Sequence, residues 1–204
     1  TVEDTPCHGF FATGSDDVEY RESIYVGYRY YDSFGIPVRF PFGYGLSYTT
    51  FRYTNLELSS ETYTGGKLRV SLDVTNTGYT AGAEIVELYV ENPPANYLRA
   101  KKELKGFQKI TLAPGETRHI SLELDERSFS IYDGTQFRMP SGHYRVLAGS
   151  SSQDIRLAQV LNVVGEPYTQ DDRERLSEYF QKNLHSVSQA QFAELYGRPL
   201  SHFD

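Results

Sequence analysis

Catalytic chemistry needs particular side chains at particular spacings, and few combinations in these 204 residues offer them. The five histidines, His8, His119, His143, His185 and His202, are scattered, without a short metal-ligand spacing. Cys7 and His8 are adjacent, the one pairing that could make a nucleophile or hold a metal. Cys7 is the sole cysteine, so no intrachain disulfide is available. No Gly-x-Ser-x-Gly elbow occurs. Gly43-Tyr-Gly45 is followed by neither a lysine nor a helix, so it does not read as a phosphate loop. Glu19 and Glu22 lie in an aromatic setting that could be partly dry, and two carboxylates across a sugar ring can hydrolyse a glycosidic bond. Arg21 and Arg29 stand beside them, and ion pairing is the simpler role. Asp73, Glu84 and Glu87 fall at expected outward strand positions, and His119 and His143 at the rim of a sheet. We therefore assign no catalytic, cofactor or metal role to any residue.

Composition narrows the remaining classes. The formal net charge is −7, which disfavours nonspecific nucleic-acid binding. The one basic cluster, Arg99-Ala-Lys-Lys102, is too short for a groove and reads as a solvated or edge-strand run. No stretch is long and apolar enough to span a bilayer. No Asn-x-Ser/Thr sequon occurs, which favours a cytoplasmic location; the first residue is Thr1, so a missing secretory leader says little. Tyrosine occurs 17 times and phenylalanine 12, against no tryptophan. Tyrosine suits surfaces that are dry at one end and wet at the other.

The elements that would position any site fall into three regions. Residues 1–48 form a turn-rich start and an aromatic strap, in which 19–31 would be a strand or an extended loop. With no core of its own in view, the strap is expected to pack against something outside the chain. Residues 49–164 read as one β-sandwich. Leu68, Val70, Leu72 and Val74 alternate onto one face, as do Ile120, Leu122 and Leu124. Asn76-Thr-Gly78, Leu112-Ala-Pro-Gly-Glu116 and Pro140-Ser-Gly142 supply turns. Short strands are expected at 129–132 and near Phe137. About seven such strands indicate a two-sheet, fibronectin III-like (immunoglobulin-like) sandwich, and the fold class is mainly β. Residues 165–204 should add two short amphipathic helices, at 171–182 and 188–196. Gly197 stops the second and Pro199 forbids its continuation.

Two runs then suggest a kinship. Glu19-Tyr-Arg-Glu-Ser-Ile-Tyr-Val-Gly-Tyr-Arg-Tyr-Tyr-Asp32 and Phe40-Pro-Phe-Gly-Tyr-Gly-Leu-Ser-Tyr-Thr-Thr-Phe51 resemble the C-terminal signature of glycoside hydrolase family 3, the β-glucosidase family. Val74-Thr-Asn-Thr-Gly78, Gly82-Ala-Glu-Ile-Val-Glu-Leu-Tyr-Val90, Lys102-Glu-Leu-Lys-Gly-Phe107, Leu112-Ala-Pro-Gly-Glu-Thr117 and the run from Gly142 to Arg156 resemble its fibronectin III-like domain. Phe192 to Leu200 is similar to a segment of some bacterial members, which points to a bacterial origin. The resemblance implies a retaining enzyme whose nucleophilic Asp lies on a (β/α)₈ barrel and whose acid/base Glu usually lies on an α/β sandwich domain. Neither motif has a counterpart here. Residues 1–48 would be the last piece and exit strap of that α/β domain. The chain would be a non-catalytic structural portion, partnered by a companion polypeptide or domain carrying the barrel and most of the α/β domain, and meeting a β-glucoside only through it. A carbohydrate-binding β-sandwich module is the alternative, and a homo-oligomer is left open. No cofactor is expected.

Overall fold

The computed structural model describes residues 1–10 and 18–197. Pro199, Leu200 and His202, named above, lie outside the described residues. The contacts divide the chain into two compact units. One comprises Val38–Pro93 and Lys101–Tyr168, the other Thr1–Pro37, Pro94–Ala100 and Thr169–Asp204.

The first unit is the sandwich. Strands β1 (Phe51–Leu58), β2 (Thr62–Tyr63), β3 (Leu68–Asn76), β4 (Gly82–Glu91), β5 (Lys102–Leu112) and β6 (Thr117–Leu124) lead to a one-turn helix, α2 (Glu126–Phe129). Then follow β7 (Ile131–Tyr132), β8 (Phe137–Arg138), β9 (Gly142–Gly149) and β10 (Ile155–Val163). A three-stranded sheet has the order β1-β3-β6; a five-stranded sheet has β2-β10-β9-β4-β5; β7 and β8 form a separate hairpin. The two larger sheets enclose a core of Leu68, Val70, Leu72 and Val74 from β3, Ile120 and Leu124 from β6, Val86, Leu88 and Val90 from β4, and Tyr144, Val146 and Ala148 from β9. The alternation in β3 is that of a sheet with one dry face. Tyr144 ties the end of the sandwich: its buried hydroxyl donates to the carbonyls of Pro140 (2.9 Å) and Phe129 (3.2 Å). This is the geometry of a tyrosine corner, at the start of the strand where such sandwiches carry one. Edge strand β1 bulges between Thr54 and Glu57, with Asn55 at φ 55°. Asparagine tolerates that region, and the bulge spoils an edge that could pair with another chain.

Three local expectations are corrected here. Residues 126–129 are helical, because Asp125 caps the turn by accepting from Ser128 N, and only 131–132 pair as a strand. Glu84 and Glu87 are buried, not outward. Lys102 and Ala100 are buried too, so the basic run is not simply solvated, although β5 is indeed an edge strand.

The second unit has a core of its own: Phe10, Tyr25, Tyr30, Leu176, Tyr179, Leu184 and Val187. Residues 19–31 are neither strand nor extended loop. A turn leads into helix α1 (Tyr28–Phe34), bounded by Gly27 and Gly35, both at positive φ. The Tyr30 hydroxyl donates to Lys182 O at 2.9 Å. Burial pushes the Tyr25 hydroxyl up to about 12. The C-terminal segment contains the expected second helix, α3 (Gln189–Tyr196), with Ser188 capping its first turn and Gly197 in the left-handed conformation at its end. The first expected helix is absent; 171–182 contain turns and a short 3₁₀ segment, Ser177–Phe180. The reason is Asp172. Its buried carboxylate accepts from Leu98 N, Gln170 Nε2 and Arg175 Nη2. A carboxylate turned inward as a hub cannot serve on the polar face of an amphipathic helix.

Candidate interaction site: an aromatic strap on the sandwich

The sandwich unit begins with the later part of the strap, residues 38–50, called the strap from here on, and here five exposed large side chains cluster. Phe40 is 60% exposed, Phe42 48%, Tyr44 50%, Leu46 90% and Tyr48 100%. Pro41 and Gly43 shape the first turn, in which Tyr44 N donates to Pro41 O at 2.9 Å. Gly43 has φ +85°, and a Cβ there would lie 2.4 Å from Glu87 Oε1. Only glycine can adopt that backbone and approach Glu87 so closely. Ser152 N donates to Phe42 O at 2.8 Å. Phe40 and Tyr44 pack as tilted rings with centroids 5.1 Å apart, and Arg39 lies over Phe40.

Between the strap and the ends of β4 and β10 lies a cavity of about 720 Å³, lined by Tyr44, Leu46, Glu84, Lys109, Asp154 and Arg156 among others. Its floor is a charge cluster. Glu84 Oε1 accepts from the Tyr53 hydroxyl at 2.7 Å and lies 3.7 Å from Arg156 Nη1. Arg156 lies over the Tyr53 ring, donates to Phe51 O at 3.0 Å, and bridges to Asp154 Oδ2 at 2.9 Å. Burial raises the Glu84 carboxyl, opposed by the Tyr53 hydrogen bond. Glu87, on the same strand, takes the Tyr89 hydroxyl at 2.5 Å and is likewise raised, first by burial and then by Glu84. Asp154 is lowered by Arg156 and Ser150. Each of these carboxyls already holds an internal partner, and the cluster fastens β1, β4 and β10 together.

The residues singled out for chemistry are dispersed. Glu19 pairs with Arg21 at 2.5 Å, and Arg21 also donates to Val187 O at 3.1 Å. The arginine thus finds its carboxylate and carbonyl inside this chain. Glu22 is buried in the same unit. His119 sits on β6 beside Asp73 at 2.8 Å, and His143 is exposed on β9. Cys7 contacts Thr5 at 3.8 Å. Among the described residues no group of histidine, cysteine and acidic side chains could hold a metal ion. The aromatic run of residues 1–48 was expected to pack against something outside the chain, but Tyr25 and Tyr30 are buried in this chain's own core and Tyr28 is half-buried, whereas Phe40, Phe42 and Tyr44 are exposed.

Comparison with known proteins decides the kinship. The family model for the fibronectin type III-like domain matches residues 84–152. The chain is 44% identical over 155 residues to thermostable beta-glucosidase B of Acetivibrio thermocellus, a match covering 74% of this chain and 20% of that protein. The solved family 3 β-glucosidase of Bifidobacterium adolescentis aligns with TM-score 0.77 and 32% identity, over 94% of this chain and 28% of that one. This chain is a C-terminal portion of the glycoside hydrolase family 3 type. It spans about a fifth of the length of the curated relatives it matches, so those proteins carry much more than the part seen here. Another relative, 38% identical over 172 residues, is an exo-alpha-(1->6)-L-arabinopyranosidase of Bifidobacterium breve. Strap and sandwich are therefore shared by relatives named for different sugars.

Proposed function

We propose that this chain is a non-catalytic structural portion of a retaining β-glucosidase-like hydrolase, and that its strap docks on the remainder of that enzyme. The observation that carries the reading is the strap itself. Five large apolar side chains from Phe40 to Tyr48 stand open along nine residues, a concentration that a free-standing soluble surface rarely carries. The much greater length of the relatives supports a covering surface. In the complete enzyme, a companion region bearing a (β/α)₈ barrel and most of an α/β domain would supply the nucleophile and acid/base. Terminal β-linked glucose would leave by double displacement, with water as the second acceptor. Glu19, Glu22, Glu84 and Asp154 are internal ion-pair, core or hydrogen-bond residues in this reading, not reacting groups.

Assay of the purified chain tests the first half. It should not turn over aryl β-glucosides above buffer. Activity that co-purifies with the chain and disappears in Glu19→Gln or Glu22→Gln would overturn the reading. The alternative, a carbohydrate-binding module, finds its support in the cavity whose lining combines Tyr44 with Glu84, Lys109, Asp154 and Arg156. Retention of the chain on cellulose or laminarin would favour that alternative.

A further inference from the structure

A segment as exposed as the strap would ordinarily be mobile, and its amide hydrogen bonds in 44–49 are local ones: Tyr44 N to Pro41 O, and Thr49 N to Ser47 Oγ at 3.3 Å. Yet both ends are tied to the sandwich. One tie is the contact of Phe42 and Gly43 with Ser152 and Glu87 described above. The other centres on Asn76, at the last position of β3 and fully buried. Its Oδ1 accepts from the Thr49 hydroxyl at 2.5 Å and from Gly78 N at 3.1 Å. Its Nδ2 donates to Thr80 O at 2.8 Å and Leu112 O at 3.1 Å. All four hydrogen-bonding positions of the amide are used. Two glycines clear the space for Thr49: a Cβ on Gly78 would lie 2.2 Å from Thr49 Oγ1, and one on Gly82 2.6 Å from Thr49 Cγ2. Just beyond, Thr77 N donates to Thr50 O at 2.8 Å.

We propose that Asn76 is a positioning residue that holds the strap in its docking conformation before any partner arrives, with the Thr49 side chain seated in a slot that Gly78 opens for its hydroxyl and Gly82 for its methyl. Its purpose rests on the docking reading above: the partner is the remaining, larger part of a β-glucosidase-type chain. A face ordered in advance loses little freedom on association, so its apolar area converts more fully into affinity. The Asn76-Thr-Gly78 turn and Gly82 thereby acquire a reason beyond ending one strand and beginning another.

The test is ¹⁵N relaxation of the 204-residue chain, wild type and Thr49→Val. That variant keeps the methyl against Gly82 and exchanges the hydroxyl for a methyl of similar size that cannot donate to Asn76. Wild-type amides from Tyr44 to Thr49 should show order parameters near about 0.85, falling below about 0.6 in Thr49→Val, with β3 and β6 amides unchanged. Thr49→Ser, which keeps the hydroxyl, should stay near the wild-type value. A wild-type strap already below about 0.6, or a Thr49→Val strap as rigid as wild type, overturns the proposal. Because no partner is present, this result is separate from failure of docking, which is read from protection of the strap in a longer enzyme.

Discussion

Tyr144 and Glu87 show how single side chains in this sandwich carry opposite energetic signs. The Tyr144 hydroxyl is buried and serves two carbonyls at once. Tyr144→Phe leaves the ring packing intact but strands both acceptors, so it should lower stability by about 1–2 kcal/mol. The check is a reduced urea midpoint with an unchanged m-value. Glu87 is a liability near neutrality. Burial raises its folded-state carboxyl above the ordinary 4.5, as it does for Glu84. A group that binds its proton more tightly folded than unfolded makes stability fall as pH rises from its unfolded pKa through its folded one. Above that window the whole cost of the buried charge is present. Glu87→Gln keeps an acceptor for Tyr89 and removes the charge. Its urea midpoint should therefore fall less than that of wild type as pH rises from the ordinary glutamate range towards neutrality. An unchanged pH slope would assign the dependence to other groups.

At the scale of elements, the turns of this sandwich are chosen by clearance. At the end of β9, a Cβ on Gly149 would lie 2.3 Å from Asp154 O and 3.1 Å from Ile155 Cα, both backbone atoms that no side-chain rotation can move. Ser150 N and Asp154 O close this turn at 3.1 Å, and the turn aims Asp154 at Arg156. Gly149→Ala should cost about 1–3 kcal/mol, the range for overpacking a tight site. It should also perturb Arg156 and Glu84, visible as shifted resonances in the charge cluster; a silent spectrum and an unshifted midpoint would show that the turn has slack. Helix α3 is a contrasting case, capped by Ser188 and Gly197 in a way that its own sequence dictates.

At the scale of the whole molecule, the informative quantity is the apolar surface left open. Tyr48 is fully exposed here. Docking predicts that tetranitromethane nitrates Tyr48 readily in this chain, and that a longer enzyme containing the same segment protects it. Equal modification in both would remove the strap from the interface. Tyr30 and Tyr179 supply the internal contrast, both being buried in the chain itself and slow to react in either form.

Strict alternation in β3 and β6 was enough to define a sheet with one dry face, the one in which the two strands pair, because a period of two has no other buried arrangement. Turn chemistry placed most strand ends, and the Ser188 to Gly197 frame placed α3, since caps act within a few residues. The signature runs from Glu19 to Asp32 and from Phe40 to Phe51 carried the kinship. Long-range partners were beyond such local signals. Tyr25 and Tyr30 are buried by Leu176, Tyr179, Leu184 and Val187, some 150 residues later, and nothing near the tyrosines announces those partners. Asp172 leaves its expected helix face to meet Leu98, a residue of the excursion between β4 and β5. Glu84 reads as outward by pattern, yet faces inward because Tyr53 and Arg156 arrive from two other strands to receive it. Local periodicity states which positions seek burial or a partner; only the closed tertiary structure decides which distant residue provides it.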